Sequence, residues 1–414
     1  MSNPLVVGID VHRVKNVVVV MDQNGCVVKP SFSVHNNRPG TSLLATKLHT
    51  IAQENGFDVI QIGVEATGWY WWHLVHAMHK DCSLNQLPTE LYAFNPRVTA
   101  RFGRSYSNPD KTDSKDASKI ADWLRLGRDL PKPYNYDEWH YDLRCLTRHR
   151  YYLVREVTRI KNYMSAYLYL KASEYSRIQP LGKTFGTTSR GVIRDFGDFA
   201  EILDIPFEDL VEQIDKRGRR RFTQVRKKAE ALRTVATDSY HLPEELQSPV
   251  NIVLNQCIDH MELLERQIKD VERDITAVMG SIPNTLKTIP GIGLVFASGI
   301  LAEIGDLNRF DYDQKKVASY AGLAWKQTQS GDHTAEERPL KNAGNRILRY
   351  YLCEAANSMR VHAEEYGEYY ARKYKEVRTH KHKRAIVMTA RKLVRLVVRL
   401  LATNQPYQPR PPKH

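Results

Sequence analysis

Leu5-Val6-Val7-Gly8-Ile9-Asp10-Val11 is an apolar run interrupted only by one glycine and, near its end, one aspartate. A short run this rich in β-branched residues reads as a buried central strand, and Asp10 stands where that strand leaves the core. A second strand is expected at Asn16 to Met21, closed by the hairpin turn Asp22-Gln23-Asn24-Gly25, and a third begins at Cys26 to Val28. Leu43, Leu44, Leu48 and Ile51 mark a helix that Asn55-Gly56 ends. Asp58 to Val64 alternates as a fourth strand and delivers Glu65, followed by Ala66-Thr67-Gly68 and an aromatic helix start, Trp69-Tyr70-Trp71-Trp72. Leu91 to Phe94 supplies a fifth strand, stopped by Asn95-Pro96.

Three meandering strands, a helix, then strands alternating with helices is the order of an α/β ribonuclease-H-like fold. Asp113 and Asp116 then open a helix that runs through Ile120, Ala121 and Leu124. Their spacing puts both carboxylates on one face near the helix N-terminus, where two like charges cost stability unless a cation lies between them. Mg²⁺ prefers hard oxygen ligands, and metal ions can activate the entering oxygen and stabilise the leaving one in phosphoryl transfer. Asp10, Glu65, Asp113 and Asp116 are therefore candidate metal ligands and catalytic carboxylates that would converge at one sheet edge. Each also has a plainer reading. Asp10 suits a strand-end turn, and Asp113 and Asp116 read as helix-capping and first-turn acids. His12 reads as a packed or surface histidine, Trp69, Trp71 and Trp72 as mostly core, and His380 and His382 as part of a basic loop.

Lysine and arginine number 61 against 47 acidic residues, a formal net charge of +14 that favours a polyanionic partner, nucleic acid first. The five cysteines form no CxxC pair and read as reduced thiols of a cytosolic protein. Without a signal peptide or a long apolar run, a soluble intracellular protein and no membrane partner are expected.

After Pro131 and Pro133 the pattern becomes helical. Leu143, Leu146, Leu153, Val157, Ile160, Met164 and Tyr167 follow three-four spacing, with Arg150 interrupting the seam. Leu254, Cys257, Met261, Leu264, Ile268, Val271, Ile275 and Val278 form a second such run. The two suit an antiparallel coiled coil or association between protomers, and a stalk joining protomers is the favoured reading. Between them, residues 176–248 read as a basic insertion of short helices in which Arg219, Arg220 and Arg221 are candidate nucleic-acid contacts.

Ile289-Pro290-Gly291-Ile292-Gly293 resembles the turn of a helix-hairpin-helix, in which Gly291 and Gly293 would let backbone amides approach a phosphate. A helix through Ala297, Ile300, Leu301 and Ile304 follows, then Ala321-Gly322-Leu323-Ala324-Trp325 and the pair Ser330-Gly331 on a loop. Beyond them, Lys341 and Arg346 are placed to neutralise a phosphate near Ser330. A serine hydroxyl needs activation to act as a nucleophile, and a phosphoserine ester would conserve the energy of a broken phosphodiester. That fits the absence of a Walker-type glycine loop. The C-terminal helix, about Arg384 to Thr403, is apolar on one side and arginine-rich on the other.

Gly8-Ile-Asp-Val-His12, Val64-Glu-Ala-Thr-Gly68, Lys111-Thr-Asp-Ser-Lys-Asp-Ala117, Pro290-Gly-Ile-Gly293, Ala321-Gly-Leu323, Ser330-Gly331 and Gly344-Asn345 together resemble the insertion-sequence-110 group of transposases and related site-specific DNA invertases. The resemblance implies a RuvC-like domain at 1–133 whose Asp10, Glu65, Asp113 and Asp116 bind Mg²⁺. It further implies a C-terminal transposase domain, mainly α and spanning 283–405, whose Ser330 forms a covalent phosphoserine link to DNA; the patterning itself places the helical, coiled-coil region at 134–282 and a tail at 406–414. It also implies a structured guide (bridge) RNA pairing with donor and target DNA, and action as a homodimer or homotetramer that combines the carboxylates of one subunit with the serine of another. Ala324-Trp325 departs from the family, many members of which have proline after the Gly-Leu pair. Three other readings are a junction-resolving nuclease using metal-activated water, a non-catalytic nucleic-acid-binding scaffold and a sugar-kinase-like fold. The basic charge and the missing phosphate loops argue against the last.

Overall fold

The computed structural model describes residues 3–81, 84–104, 106, 112–128, 130–135, 138–325, 329–330, 333–334, 340 and 343–409. The chain divides into two compact units, residues 1–137 and 138–414.

The first unit holds β1 (Pro4–Val11), β2 (Lys15–Met21), β3 (Val27–His35), α1 (Arg38–Glu54), β4 (Val59–Glu65), α2 (Tyr70–His79), β5 (Thr89–Phe94), α3 (Pro96–Gly103) and α4 (Asp113–Leu126). The sheet order is β3-β2-β1-β4-β5. The first three strands run antiparallel, while β4 lies parallel to both β1 and β5. This mixed sheet is consistent with the ribonuclease-H-like expectation. β1 is buried on both faces: Leu5, Val7 and Ile9 pack with α1 and α2, and Val6 packs on the α4 side. Each such side chain stabilises the fold by at most about 1.5–3 kcal/mol. The hairpin turn forms as its composition dictates: the Asp22 carboxylate accepts from the amides of Asn24 and Cys26, and Gly25 takes a φ of 90°.

Gly8 decides how closely helix and sheet meet. A Cβ there would lie 2.1 Å from the Ala117 carbonyl oxygen and 2.5 Å from the Ala121 nitrogen. Only a glycine lets α4 settle directly on β1, and that contact carries the first turn of α4 to the end of the strand.

The second unit is largely helical: α5 (Glu138–Lys171), α6 (Tyr175–Ile178), α7 (Thr187–Asp195), α8 (Glu201–Asp204), α9 (Phe207–Arg217), α10 (Val225–Asp238), α11 (Glu244–Gly280), α12 (Leu294–Ile304), α13 (Gln314–Tyr320), the two-residue strands β6 (Gln329–Ser330) and β7 (His333–Thr334), α14 (Arg346–His362), α15 (Glu364–Lys375) and α16 (Lys381–Thr403). The two long helices pair with each other within the chain. Arg150, in the first half of α5, bonds Glu272 near the end of α11 at 2.7 Å, and Lys171 at the end of α5 reaches Asn251 near the start of α11. The pair is therefore antiparallel, and Arg150 interrupts the apolar seam because it has a carboxylate to meet.

α6 and α7 pack onto this pair and α8–α10 pack among themselves, and their buried side chains belong to the same core as the two long helices. Much of its basic charge is matched: Lys216, Arg217 and Arg226 pair with Glu212, Asp195 and Glu208. Arg219, Arg220 and Arg221 stay exposed, the first two in left-handed backbone.

α12 is the central helix, with every residue from Ala297 to Ile304 buried. Gly299 makes room for the Tyr351 ring, where a Cβ would stand 2.5 Å from ring carbons, and the Tyr351 hydroxyl donates to the Thr147 carbonyl at 2.8 Å. α5, α12 and α14 meet at that point. His380 ends the basic connection before α16, whereas His382 lies in the first turn of that helix, where its ring bonds the Tyr370 hydroxyl at 2.7 Å. Among the described residues no helix is long and apolar enough to cross a membrane.

Candidate active site

At the end of β1, Asp10 is opposite Val17 in the antiparallel register, and its side chain lies on the α4 face. The carboxyl is largely buried, and burial together with the charges of Asp116 and Asp113 pushes its pKa up, against the opposing pull of His12. The His12 Nε2 is 3.0 Å from Asp10 Oδ2 and 3.5 Å from Asp113 Oδ1. Lys15 Nζ lies 2.9 Å from Asp113 Oδ2 and holds that carboxyl below its ordinary value.

Of the plain reading of Asp113 and Asp116 as helix-capping and first-turn acids, the first-turn part holds and the N-cap is another residue. The cap of α4 is Thr112, whose hydroxyl accepts from the Lys115 amide at 3.3 Å. Both aspartates stand in the first turn, near the positive end of the helix dipole. Asp116 bonds Lys119 at 2.8 Å.

Glu65 ends β4, the strand beside β1. One carboxylate oxygen accepts from the Thr67 hydroxyl at 2.7 Å and the other from the Thr99 hydroxyl. The structure thus brings Asp10 and Asp113 together with His12, sets Asp116 within electrostatic reach of Asp10, and holds Glu65 at the neighbouring strand end by two threonines. Lys15 is the residue sequence reasoning missed here, and His12, read there as a packed or surface histidine, is exposed and bonded to Asp10. Trp69 is half-exposed rather than core, and Trp71 and Trp72 are partly buried.

Could these residues take a divalent ion? Ligand atoms of Asp10, His12 and Asp113 all lie within 4.8 Å of one another. Two hard oxygens from facing elements fit a divalent cation, and a positive charge between them would relieve the repulsion now felt by Asp10.

In the second unit, the segment bearing Ser330 leaves α13 through Gly322 and returns to α14 through Gly344. These glycines touch, since a Cβ on Gly344 would lie 2.5 Å from the Gly322 nitrogen; both have positive φ, +71° and +105°. Trp325 and Leu340 form an antiparallel bridge further along. Ser330 pairs with His333 in the β6–β7 ladder. Gly331 and Lys341 lie outside the described residues, and of Ser330 the backbone alone is described. Arg346, the first residue of α14, is exposed. Gly291 takes a φ of +82°, while Gly293 caps α12 with open space where a Cβ would stand. That openness leaves the amides at the start of α12 approachable.

Comparison with known proteins matches both units. The DEDD transposase model of IS110 elements matches residues 7–171, which contain every carboxylate just described. The transposase model of the IS116/IS110/IS902 family matches residues 284–371, which contain the Ser330 segment and both glycine turns. The chain belongs to the IS110 family of transposases. It is 27% identical over 76% of its length to an uncharacterized 44.8 kDa protein of insertion element IS116 from Streptomyces clavuligerus, covering 77% of that protein. It is 25% identical over 75% of its length to an uncharacterized 43.6 kDa protein of insertion element IS110 from Streptomyces coelicolor, covering 76% of that protein. Membership makes this a DNA-processing enzyme of a mobile element, and its DEDD domain implies a divalent metal.

Proposed function

We propose that this IS110-family transposase cuts and rejoins DNA through a covalent phosphoserine intermediate at Ser330, with Asp10, Glu65, Asp113 and Asp116 holding Mg²⁺. The observation that carries this reading is the seating of α4 on Gly8, which sets the first-turn aspartates Asp113 and Asp116 beside Asp10. When bound there, a divalent ion would polarise a phosphoryl oxygen and stabilise developing charge.

The step balances without an energy cofactor. The Ser330 Oγ–phosphorus bond forms as the bond from phosphorus to a deoxyribose oxygen breaks, the hydroxyl proton passes to a base, and the departing oxygen takes up a proton. A second DNA hydroxyl reverses the exchange and releases the serine. His12, exposed and bonded to Asp10, is able to carry a proton at Nε2, and Lys15 keeps Asp113 ionised. Arg346 and Lys341 are assigned to the transferring phosphate, and Gly291 and Gly293 to the DNA backbone. Arg219, Arg220 and Arg221 are assigned to a guide (bridge) RNA, in keeping with the net charge of +14 and with their exposure. A homodimer or homotetramer would let the carboxylates of one subunit serve the serine of another.

The test incubates the full chain with Mg²⁺, candidate guide RNA and duplex DNA spanning the element boundary, and maps any protein–DNA adduct by mass spectrometry. An adduct at Ser330, lost in Ser330→Ala and Asp10→Ala, is expected. Cleavage without an adduct that survives Ser330→Ala would instead mean a nuclease using activated water, and no cleavage with or without Mg²⁺ would favour a scaffold.

A further inference from the structure

Glu303 is a carboxylate with no exposure at all, set in the last turn of the apolar helix α12. Burying such a charge is costly unless it is paired and fully bonded. Arg148 of α5 meets it in bidentate fashion, Nε to Oε1 at 2.7 Å and Nη2 to Oε2 at 2.9 Å. Arg144, one turn earlier on α5, stands 3.7 Å from Oε2. These arginines hold the Glu303 carboxyl below its ordinary value despite burial, so it is a poor proton acceptor and is unsuited to acid–base chemistry.

Its remaining partner is Asn345, whose side-chain nitrogen donates to Glu303 Oε2 at 2.5 Å and lies 3.2 Å from the Tyr320 hydroxyl. The Asn345 oxygen caps α14, accepting from Ile347 and Leu348 at 3.0 and 3.1 Å. Its backbone N–H donates to the Tyr320 carbonyl at 2.6 Å. Tyr320 ends the helix before the Ser330 segment, and Asn345 immediately precedes the helix after it. One side chain therefore joins both ends of that segment to each other and to a carboxylate locked from α5.

We infer that Glu303 and Asn345 are positioning residues that fix both legs of the Ser330 segment against the buried Arg144–Arg148 grip of α5. The inference rests on the reading of Ser330 as nucleophile. Neither residue need touch DNA. The geometry also explains why asparagine suits the position: aspartate would cap α14 but could not donate to Glu303, and glutamine is one carbon too long to cap in the same way.

Two measurements on the full chain test this. The first is the single-turnover rate of Ser330 adduct formation on element-boundary DNA at saturation, with DNA affinity measured separately. The second is hydrogen exchange at the Leu323, Asn345, Ile347 and Leu348 amides. Asn345→Asp should slow adduct formation about 10–100-fold at unchanged DNA affinity, as expected for a displaced nucleophile. It should speed exchange at Leu323 and Asn345 while leaving Ile347 and Leu348 protected by the retained cap. Asn345→Ser, which caps without adding a charge, decides the matter if Asn345→Asp fails to fold. A rate that falls only with the folded fraction overturns the positioning role. Wild-type cleavage that yields no Ser330 adduct and survives Ser330→Ala overturns the nucleophile reading instead.

Discussion

The two units treat buried negative charge in opposite ways. In the second, Glu303 is over-provided: two guanidiniums and an amide surround one carboxylate that has no contact with water. In the first, Asp10 is under-provided. It is largely buried, faces two further aspartates, and has as its direct partner His12, itself 44% exposed. Burial and neighbouring charge push Asp10 up, whereas the arginines pull Glu303 down. A charge that only holds a fold together is satisfied within the fold; one left short of partners is waiting for something from outside it.

Substitution should separate the two most sharply. Asp10→Ala should lower DNA cleavage on the order of a thousandfold or more, through lost stabilisation of transition-state charge, yet leave thermal stability unchanged or slightly raised. Glu303→Ala should destabilise the second unit by about 3–5 kcal/mol, because Arg148 is left buried without its counter-charge. Activity assays paired with denaturant titration check both. Unfolding of Asp10→Ala, or a neutral Glu303→Ala, would break the contrast.

Acid offers the next largest effect. His140 packs its ring against Gly305, where a Cβ would lie 2.2 Å from the ring, and its pKa is pushed down to about 3 by burial, with Arg144 and Arg309 adding to the effect. The unfolded chain takes up that proton near the ordinary value of 6.5, so it binds more protons than the folded chain between the two values. Stability from this residue is complete above about 6.5 and is lost as pH falls toward 3, up to about 5 kcal/mol in all. Glu303, held low, adds loss in the same direction further down. Hydrogen exchange of α5 and α12 against pH should show the fall, and His140→Phe should flatten its upper part.

Much of this was legible in the chain. The strand order followed from Leu5 to Phe94 because β-branched runs and the Asp22–Gly25 turn encode it locally. The carboxylates were legible by the same route, since each stands at a strand end or in a first helical turn. Hidden from the sequence was what depends on side chains meeting across long separations. Arg144 and Arg148 carry no signal of their own in the helical run, and nothing near them in the chain names Glu303 or Asn345. Trp69 looked like core because three tryptophans stand within four residues, but the turn at Gly68 leaves it on the surface. Gly8 read as a strand glycine, and its closeness to α4 emerges only once that helix is laid on the sheet.

That closeness can be filled. Gly8→Ala forces a Cβ toward the backbone of α4, which cannot yield as a flexible side chain would, and should cost about 1–3 kcal/mol. The more telling effect is at the strand end, where Asp113 and Asp116 would be carried away from Asp10. Calorimetric titration with Mn²⁺ should show weaker binding in Gly8→Ala even at temperatures where the variant is fully folded. An unchanged affinity would mean that the carboxylates do not depend on the seating of α4.

The smallest effect is the most specific. Lys15 and Asp113 form an ion pair whose side chains are 51% and 43% exposed, and such a pair stabilises a fold by no more than about 1 kcal/mol. Its interest is its location, because Lys15 offers Asp113 the positive charge that a divalent ion would otherwise supply. Lys15→Met should therefore leave the denaturation midpoint almost unmoved while raising Mn²⁺ affinity a few-fold at low salt, with the gain shrinking as salt screens the site. Lys119, which pairs with Asp116 at 2.8 Å, should behave alike. If either substitution instead weakened metal binding, the lysines would be part of the site's architecture rather than occupants of its charge, and the first unit would resemble the over-provided Glu303 cluster after all.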